Sequence, residues 1–538
     1  MGIYLNSSNA FTLYKNETAK PYFVDKSLML RKLFPLIDQG SHYICITRPR
    51  RFGKTVMANM ISCFLAKSKN SHVLFDGLKI SLADNYEEHL NQYNVIHIRF
   101  NESPGGCRTY EEYISRISRR LIRDLQSAYP DIRIQPDEDV WDVLLEIYEY
   151  ADGGQFIFIL DEWDYIFHRD YVTDADKKDF IEFLCCLLKD KAYVRMAYMT
   201  GILPIAKYSS GSELNIFAEF TMAKSPEFSD FFGFTEKETD ELFQRYLLQH
   251  PEAEIRREDL RYWYDGYCTA LGERIYNPRS VVYALQYNHL ENYWTSSGPY
   301  DEIFYYIEKN TADVRDDIAL MVSGISVPAK IREYAALSMN LQTRDEIFSA
   351  MVVYGFLSYE NGFVSIPNKE LMDRFDDMLR KEPSLGYVYR LAKESERMLR
   401  ATLDADAETM AEILEYAHNT EVPLLNYNHE TDLAAVVNLV YLAARDTYRI
   451  EREEKSGAGY ADFIFYPEDR RADRIILELK VDHTPEEAVR QIKEKKYALR
   501  FEGKTADRKR YTGRMLLVGI AYERGTKKHR CKVEIADG

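Results

Sequence analysis

The chain has 538 residues, 46% of them hydrophobic and 29% charged, a length that one core does not fill and a composition that excludes disorder. Its 70 Lys+Arg against 86 Asp+Glu, a net charge of −16, exclude a protein that coats nucleic acid through a general positive field. The acid is uneven: residues 445–538 carry 23 Lys+Arg against 18 Asp+Glu, net +5, and residues 1–444 carry 47 against 68, net −21.

The first residues, MGIYLNSSNAFTLYKNE, lack the basic patch and apolar run of a secretory signal. The longest apolar run, LAAVVNLVYLAA at 433–444, is too short to span a bilayer and reads as a buried helix, so no membrane partner is expected. Seven cysteines form no CxxC pair and cannot all pair internally. They read as reduced thiols of a cytoplasmic protein.

Between Tyr43 and about Ser225, short apolar runs alternate with helical patterns. The strand candidates are YICIT (43–47), VIHIRF (95–100), FIFIL (156–160) and VRMAYMT (194–200), separated by helices near 109–128, 137–151 and 176–190. This alternation predicts a parallel α/β sheet with its ligand at the strands' carboxyl ends. The loop after the first strand, RPRRFGKT, matches the second half of the phosphate-loop pattern G-x-x-x-x-G-K-[ST]. Gly53 admits phosphate to the backbone, Lys54 reaches the outer phosphates and Thr55 offers a hydroxyl to Mg²⁺. Arg48 stands where the first glycine belongs. FIFILDEWD then ends an apolar strand in Asp161, suited to the Mg²⁺ shell, and Glu162, suited to polarise a water. It is expected on a strand neighbouring the loop's own. Thr200 is placed either as a sensor of the terminal phosphate or as a plain strand end. Arg48, Arg50 and Arg51 could hold phosphate charge, reach a neighbouring subunit's nucleotide as arginine fingers, or pair with surplus acid. One of the three is expected to touch nucleotide, and Phe52 is counted with the loop.

From about Pro226 to Leu425 helical periodicity dominates. Thr235 with Glu238 predicts a capping box, and WYDGY (263–267) reads as a packed aromatic turn. The stretch FSAMVVYGFLSYENGFVSIPNKEL (348–371) predicts helix, strand, Asn361-Gly362 turn, strand and helix. That order is the wing of a winged helix. The surrounding sequence is not especially basic, which favours an ATPase lid or a protein contact over DNA.

The last segment carries carboxylates on apolar strands. Tyr460 to Phe465 reads as a strand holding Asp462, and Ile475 to Lys480 as a strand holding Glu478 and Lys480, a hairpin with the acids 16 residues apart. Period-two geometry puts Glu478 and Lys480 on one face, where the acid can ligate Mg²⁺ and the amine can orient water. The run EEAVRQIKEKKYALRF predicts a helix bearing Gln491 and Tyr497. An acid on the preceding helix often joins such sites, and Glu430 is the candidate, with Glu453 its rival. Lys493, Lys495, Lys496, Arg500 and the RKR at 508–510 supply phosphate contacts, so DNA is expected at this domain without sequence specificity.

RPRRFGKT, YFVDKS (22–27), ILDEWD, MTGILPIAK (199–207), FFGFTEKETDEL (231–242), WYDGY and YNPRSVVYAL (276–285) together resemble the AAA-ATPase-like family of bacterial genomes. That family also carries Arg in place of the first glycine, and it couples its ATPase to a C-terminal PD-(D/E)xK nuclease. The D, ExK and QxxxxxY order resembles the nuclease core in the form fused to it. The resemblance implies an α/β protein: a P-loop NTPase parallel sheet over 1–225, a helical lid and winged-helix-like region over 226–427, and a nuclease-like domain over 428–538. It further implies ATP and Mg²⁺ as cofactors, a nucleotide-regulated DNA endonuclease or exonuclease, and a place in defence or mobile-element biology; a homo-oligomer stays open. The competing reading is a nucleotide-dependent switch or interaction protein with an inactive nuclease fold. A third is a DNA-bridging protein that uses the winged helix.

Overall fold

The structure is a computed structural model that describes residues 2–40, 42–102, 106–135, 138–151, 154–205, 214–294, 311–331, 341, 343–381, 383–419, 430–452, 462–495, 501 and 511–536. It divides into two compact units, Met1–Ser296 with Lys330–Gly362, and Ser297–Ala329 with Phe363–Gly538. Among the described residues no helix is long and apolar enough to cross a membrane, and no disulfide links the seven cysteines.

In the first unit β1 (His42–Thr47), β2 (Asn94–Arg99), β3 (Phe156–Asp161), β4 (Val194–Gly201) and β5 (Ala218–Thr221) form a parallel sheet in the order β2-β3-β4-β1-β5. β3 is buried along its whole length and β4 nearly so, which is why both read as continuous apolar runs without alternation. The acidic strand and the loop-bearing strand are not neighbours, contrary to the sequence-based expectation. β4 is apolar on both faces and lies between them. Its insertion levels the carboxyl ends: Thr200 pairs in register with both Ile46 and Asp161, and Asp161 with Arg99.

α1 (Lys54–Leu65) follows β1 and starts from Gly53, whose φ of 90° only glycine adopts at little cost. Ten of its twelve residues are buried, so the helix is held by packing all round rather than by one apolar stripe. Phe34, Ile61, Phe64 and Phe75 close over Ile157, Ile159 and Tyr198 of the sheet. α2 (Tyr110–Ala128) and α3 (Val140–Tyr150) connect β2 to β3, and α4 (Asp174–Leu188) connects β3 to β4.

Beyond the sheet, α5 (Glu236–Gln249) begins at the expected capping box, the side chains of Thr235 and Glu238 each taking the other's backbone N–H. The WYDGY segment is packed: Tyr264 and Tyr267 are fully buried. The order expected for 348–371 is present as α6 (Arg344–Tyr354), strands Ser358–Glu360 and Phe363–Ser365, and helix Lys369–Lys381. Asn361 and Gly362 both take positive φ, 49° and 89°, as the tight hairpin turn demands.

In the second unit β6 (Tyr448–Arg452), β7 (Phe463–Pro467), β8 (Arg474–Val481), β9 (Met515–Glu523) and β10 (Lys528–Ala536) form a sheet in chain order, preceded by α7 (Glu430–Val440). Only β8 and β9 run parallel, and α8 (Pro485–Glu494) lies in the crossover between them. β7 and β8 make the expected hairpin, Phe463 pairing with Leu477 and Phe465 with Ile475. The strand starts at Phe463, so Asp462 stands just before β7 rather than within it. Continuing the register sets it across from Glu478. α8 is fixed by Pro485 in its first turn and a capping box of Thr484 with Glu487. It ends at Glu494, short of the predicted helix; residues 496–500 lie outside the described residues. Val489 and Ile492 of α8 join Ile464, Ile476 and Leu517 in the core beneath the sheet.

Candidate active sites

The phosphate loop carries a lysine turned back upon its own backbone. Lys54 is 6% exposed, and its Nζ donates to the carbonyls of Arg48 and Pro49, both at 2.9 Å. Burial lowers its pKa, while Glu162, Asp164 and Asp161 pull the other way. Asp161, at the end of β3, is fully buried, and neither carboxylate oxygen has a hydrogen-bond partner. Burial pushes its pKa up to about 7, with Glu162 adding to the shift and the Thr55 hydroxyl and Lys54 opposing it from nearby. The Thr200 hydroxyl, level with Asp161, is likewise buried and without a partner. An unpaired carboxylate in the interior is costly. This donor set of carboxylates, hydroxyls and an amine at a helix N-terminus suits a hard divalent ion with phosphate oxygens. Thr55, Asp161, Thr200 and Lys54 therefore fit Mg²⁺ and nucleotide phosphate.

Glu162 takes a left-handed backbone, φ 53°, which turns the chain sharply out of β3. Burial raises its pKa, opposed by Lys54, Arg50 and the amide of Asn101. Asn101, two residues past β2, had no signal in the sequence. Among the arginines, Arg50 lies close enough to act on both Glu162 and Lys54. Arg51 donates to the Tyr293 carbonyl. Arg48 is buried; its Nη1 donates to the carbonyls of Thr47 and Phe220, both at 2.8 Å, and its guanidinium lies 5.0 Å above the Phe232 ring. It thus ties the root of the loop to β5. Phe52 meets the edge of Tyr267 at 5.0 Å and accepts the Gly233 N–H at its carbonyl.

The second aspartate of DEWD has a role the sequence concealed. Asp164 Oδ2 accepts the N–H groups of Ile202 and Leu203 at 2.9 and 2.8 Å, and Trp163 Nε1 donates to the Leu203 carbonyl at 3.1 Å. Gly201 lies under this clamp: a Cβ there would come within 2.5 Å of the Trp163 ring and 2.6 Å of Asp164 Oδ1. The turn after β3 thereby holds the end of β4, and with it Thr200. Asp164→Ala leaves two buried amides unpaired and is expected to cost about 2–4 kcal/mol, read from the urea unfolding midpoint. Gly201→Ala is expected to destabilise in the same direction.

The second constellation centres on Glu478, 2% exposed on β8. Its Oε1 accepts from Lys480 Nζ at 2.9 Å and from the Gln491 amide, while Oε2 is buried without a partner. Asp462 Oδ2 accepts the Leu479 N–H at 2.7 Å. Burial raises the Glu478 pKa to about 7, the charge of Asp462 adds to the rise, and Lys480 opposes it. Gly519 explains how Gln491 arrives there. It is the register partner of Glu478 on β9, and a Cβ would lie 2.3 Å from the Pro485 carbonyl and 3.1 Å from Ala488. Without a side chain at 519, α8 settles onto the sheet and sets Gln491 over Glu478.

Asp462, Glu478, Lys480 and Gln491 are thus brought together. Glu430 opens α7; Glu453, Tyr497, Lys496, Arg500 and 508–510 lie outside the described residues. Among the described residues no group of three or more His, Cys, Asp and Glu could hold a metal ion. The carboxylates of Asp462 and Glu478 still match Mg²⁺, which keeps most of its waters and takes few protein ligands.

The family model described as predicted AAA-ATPase matches residues 11–210, and that of the PD-(D/E)XK nuclease superfamily matches residues 428–516. An uncharacterized protein in the vnfD 5′ region of Azotobacter chroococcum mcd 1 is 27% identical over 282 residues, 52% of this chain and 51% of that protein. The match therefore spans about half the length of this relative. Among solved structures, a Walker-type ATPase of Pyrococcus abyssi is 13% identical with a TM-score of 0.35, over 65% of this chain and 94% of that one. The ORC2 protein of Aeropyrum pernix, in ADPNP and ADP complexes, is 12% identical with a TM-score of 0.31, over 68% and 93%. The chain joins an AAA-ATPase-like domain of the P-loop class to a domain of the PD-(D/E)XK nuclease superfamily.

Proposed function

We propose that the protein is a Mg²⁺-dependent DNA nuclease whose activity is set by ATP bound and hydrolysed at the phosphate loop. The observation that carries the reading is the convergence of Asp462, Glu478, Lys480 and Gln491 from a strand entry, a neighbouring strand and a crossover helix, with one Glu478 oxygen left open. A charge buried in an apolar strand, as Glu478 is, is hard to explain as structure, since it weakens the core it sits in. In this reading Asp462 and Glu478 hold the metal, which neutralises phosphate charge and supplies activated water. Lys480 orients that water, and Gln491 fixes the Glu478 carboxylate. At the other site Gly53, Lys54, Thr55, Asp161 and Thr200 hold Mg·ATP, Glu162 aligns the attacking water, and Arg50 is the loop arginine best placed to meet phosphate charge. The division into 1–225, 226–427 and 428–538 is the matching proposal for domains. The test is cleavage of plasmid and single-stranded DNA by wild type and Glu478→Gln with Mg²⁺ or Mn²⁺. Equal cleavage by both proteins rejects the nuclease assignment.

A pH prediction follows from Glu478. Its folded pKa, about 7, lies above the ordinary carboxylate value, so the metal-free fold binds the proton more tightly than the unfolded chain does. Its contribution to stability is present below the unfolded pKa and is lost as pH rises towards 7. A divalent ion competes with that proton. Millimolar Mg²⁺ without nucleotide is therefore expected to raise the melting temperature more at about pH 8 than at about pH 5.5, and Glu478→Gln to remove most of the difference. Cleavage is expected to fall as pH drops below about 7, as Glu478 takes up its proton.

A further inference from the structure

We propose that one face of α2 binds the phosphate backbone of duplex DNA, so that the AAA-ATPase-like domain holds the nucleic acid itself. α2 (Tyr110–Ala128) follows β2, an edge strand of the parallel sheet. Tyr113, Ile117, Leu121 and Leu125 are buried at four-residue spacing and pack the helix onto its domain. About a third of a turn away round the helix, Arg116, Arg119, Arg120 and Arg123 follow at i, i+3, i+4 and i+7 and form one stripe. Arg119 and Arg123 are exposed, and Arg116 and Arg120 half-buried.

Among the described residues none of the four arginines forms an ion pair, although residues 1–444 carry a net charge of −21. The acids of the helix are turned to other work. Glu112 Oε2 accepts the Arg108 N–H at 2.8 Å, and Asp124 Oδ2 accepts the N–H groups of Tyr4 and Leu5 at 2.6 and 3.2 Å. Glu111 falls on the opposite flank. Arg119 Nε donates to the Ser115 carbonyl of its own helix at 3.2 Å, and Arg120 lies by the Tyr4 hydroxyl. Like charges three and four residues apart repel and weaken the helix that carries them. The stripe therefore costs stability and is not repaid by the acid around it.

The character of the face selects its partner. No large hydrophobic side chain is exposed on α2, so the stripe lacks the apolar centre of a protein–protein interface. Nucleic-acid interfaces are polar and strongly positive, and each guanidinium fork can meet two oxygens of one phosphate. From Arg116 to Arg123 the stripe runs about 10 Å along the helix axis, the length of about three phosphates of one DNA strand. Backbone contacts carry no sequence preference. The choice of DNA rests on the nuclease reading, but the binding does not require cleavage.

The test is fluorescence anisotropy of a labelled duplex with the full-length protein, in EDTA and without nucleotide, over a range of NaCl concentrations. Arg119→Gln and Arg123→Gln are each expected to weaken binding severalfold and to shallow the slope of log K against log [salt] by about 0.9, and together by about 1.8. Both positions are exposed, and the melting temperature is expected to stay as in wild type. The single variants decide the matter where the double variant does not fold. Arg119→Lys with Arg123→Lys keeps the charges and is expected to keep the wild-type slope; a slope as shallow as that of the glutamine pair overturns the proposal. So does an unchanged slope in both single glutamine variants, or no binding by wild type. Displacement of the duplex by poly-L-glutamate as readily as by unlabelled duplex of equal charge assigns the face to an acidic protein and also overturns it. Because no metal is present, a slope change in these variants beside equal cleavage by wild type and Glu478→Gln rejects the nuclease reading alone.

Discussion

Replacing Lys480 with alanine is expected to lower metal-dependent cleavage by about 10²-fold or more while ATP turnover stays as in wild type. Lys480 Nζ is one of two donors on Glu478 Oε1, and its hydrogen bond, then its charge, do most to hold down a carboxylate that burial and Asp462 push up. Without it the Glu478 proton is held more tightly, so the metal has to displace that proton at a higher pH. The water-orienting amine is lost as well. Both effects lower the rate at neutral pH, and the first is partly recovered in more alkaline buffer. The pH profile of residual cleavage separates them. Gln491→Ala removes only the orienting amide, and a loss of about 10–100-fold is expected.

Lys54→Ala and Asp161→Asn are each expected to abolish Mg·ATP turnover, with opposite effects on the nucleotide-free fold. Lys54 satisfies two carbonyls of its own loop; its loss leaves both without that donor and is expected to cost about 1–2 kcal/mol. Asp161 is a fully buried carboxylate with both oxygens unpartnered and a pKa raised to about 7. Keeping it buried costs progressively more as pH rises from the ordinary carboxylate value towards 7, so the neutral asparagine is expected to raise the melting temperature of the nucleotide-free protein most at about pH 8, less at about pH 5.5 and least at about pH 4. A stabilised protein without turnover is the pattern of a residue kept for chemistry at the expense of the fold. Thermal unfolding across pH, set beside a phosphate-release assay, reads both effects.

Much of this was legible in the residues because the signals were local. Apolar runs at 43–47, 95–100, 156–160 and 194–200 predict parallel strands, and all four form the one sheet. Glu478 and Lys480 share a face because strand geometry repeats every two residues. Thr235 with Glu238 and Asn361 with Gly362 carry their own turn chemistry. What escaped depends on distant parts of the chain. Nothing local places β4 between β1 and β3, since strand order is decided by which apolar faces pack. The same holds for Asp164, whose bonds reach Ile202 and Leu203, and for Gly519, which matters only once α8 lies on it. Arg48 reads as a phosphate ligand in a linear motif; its bond to Phe220 on β5 spans 172 residues.

Nucleotide control of cleavage is tested most directly by DNA cleavage by wild type and Lys54→Ala, each with and without ATP at saturating Mg²⁺. The wild-type cleavage rate is expected to change severalfold on adding ATP, and that of Lys54→Ala to be the same in both conditions. Identical ATP responses in the two proteins, or no response in wild type, would contradict nucleotide control and leave two independent enzymes on one chain.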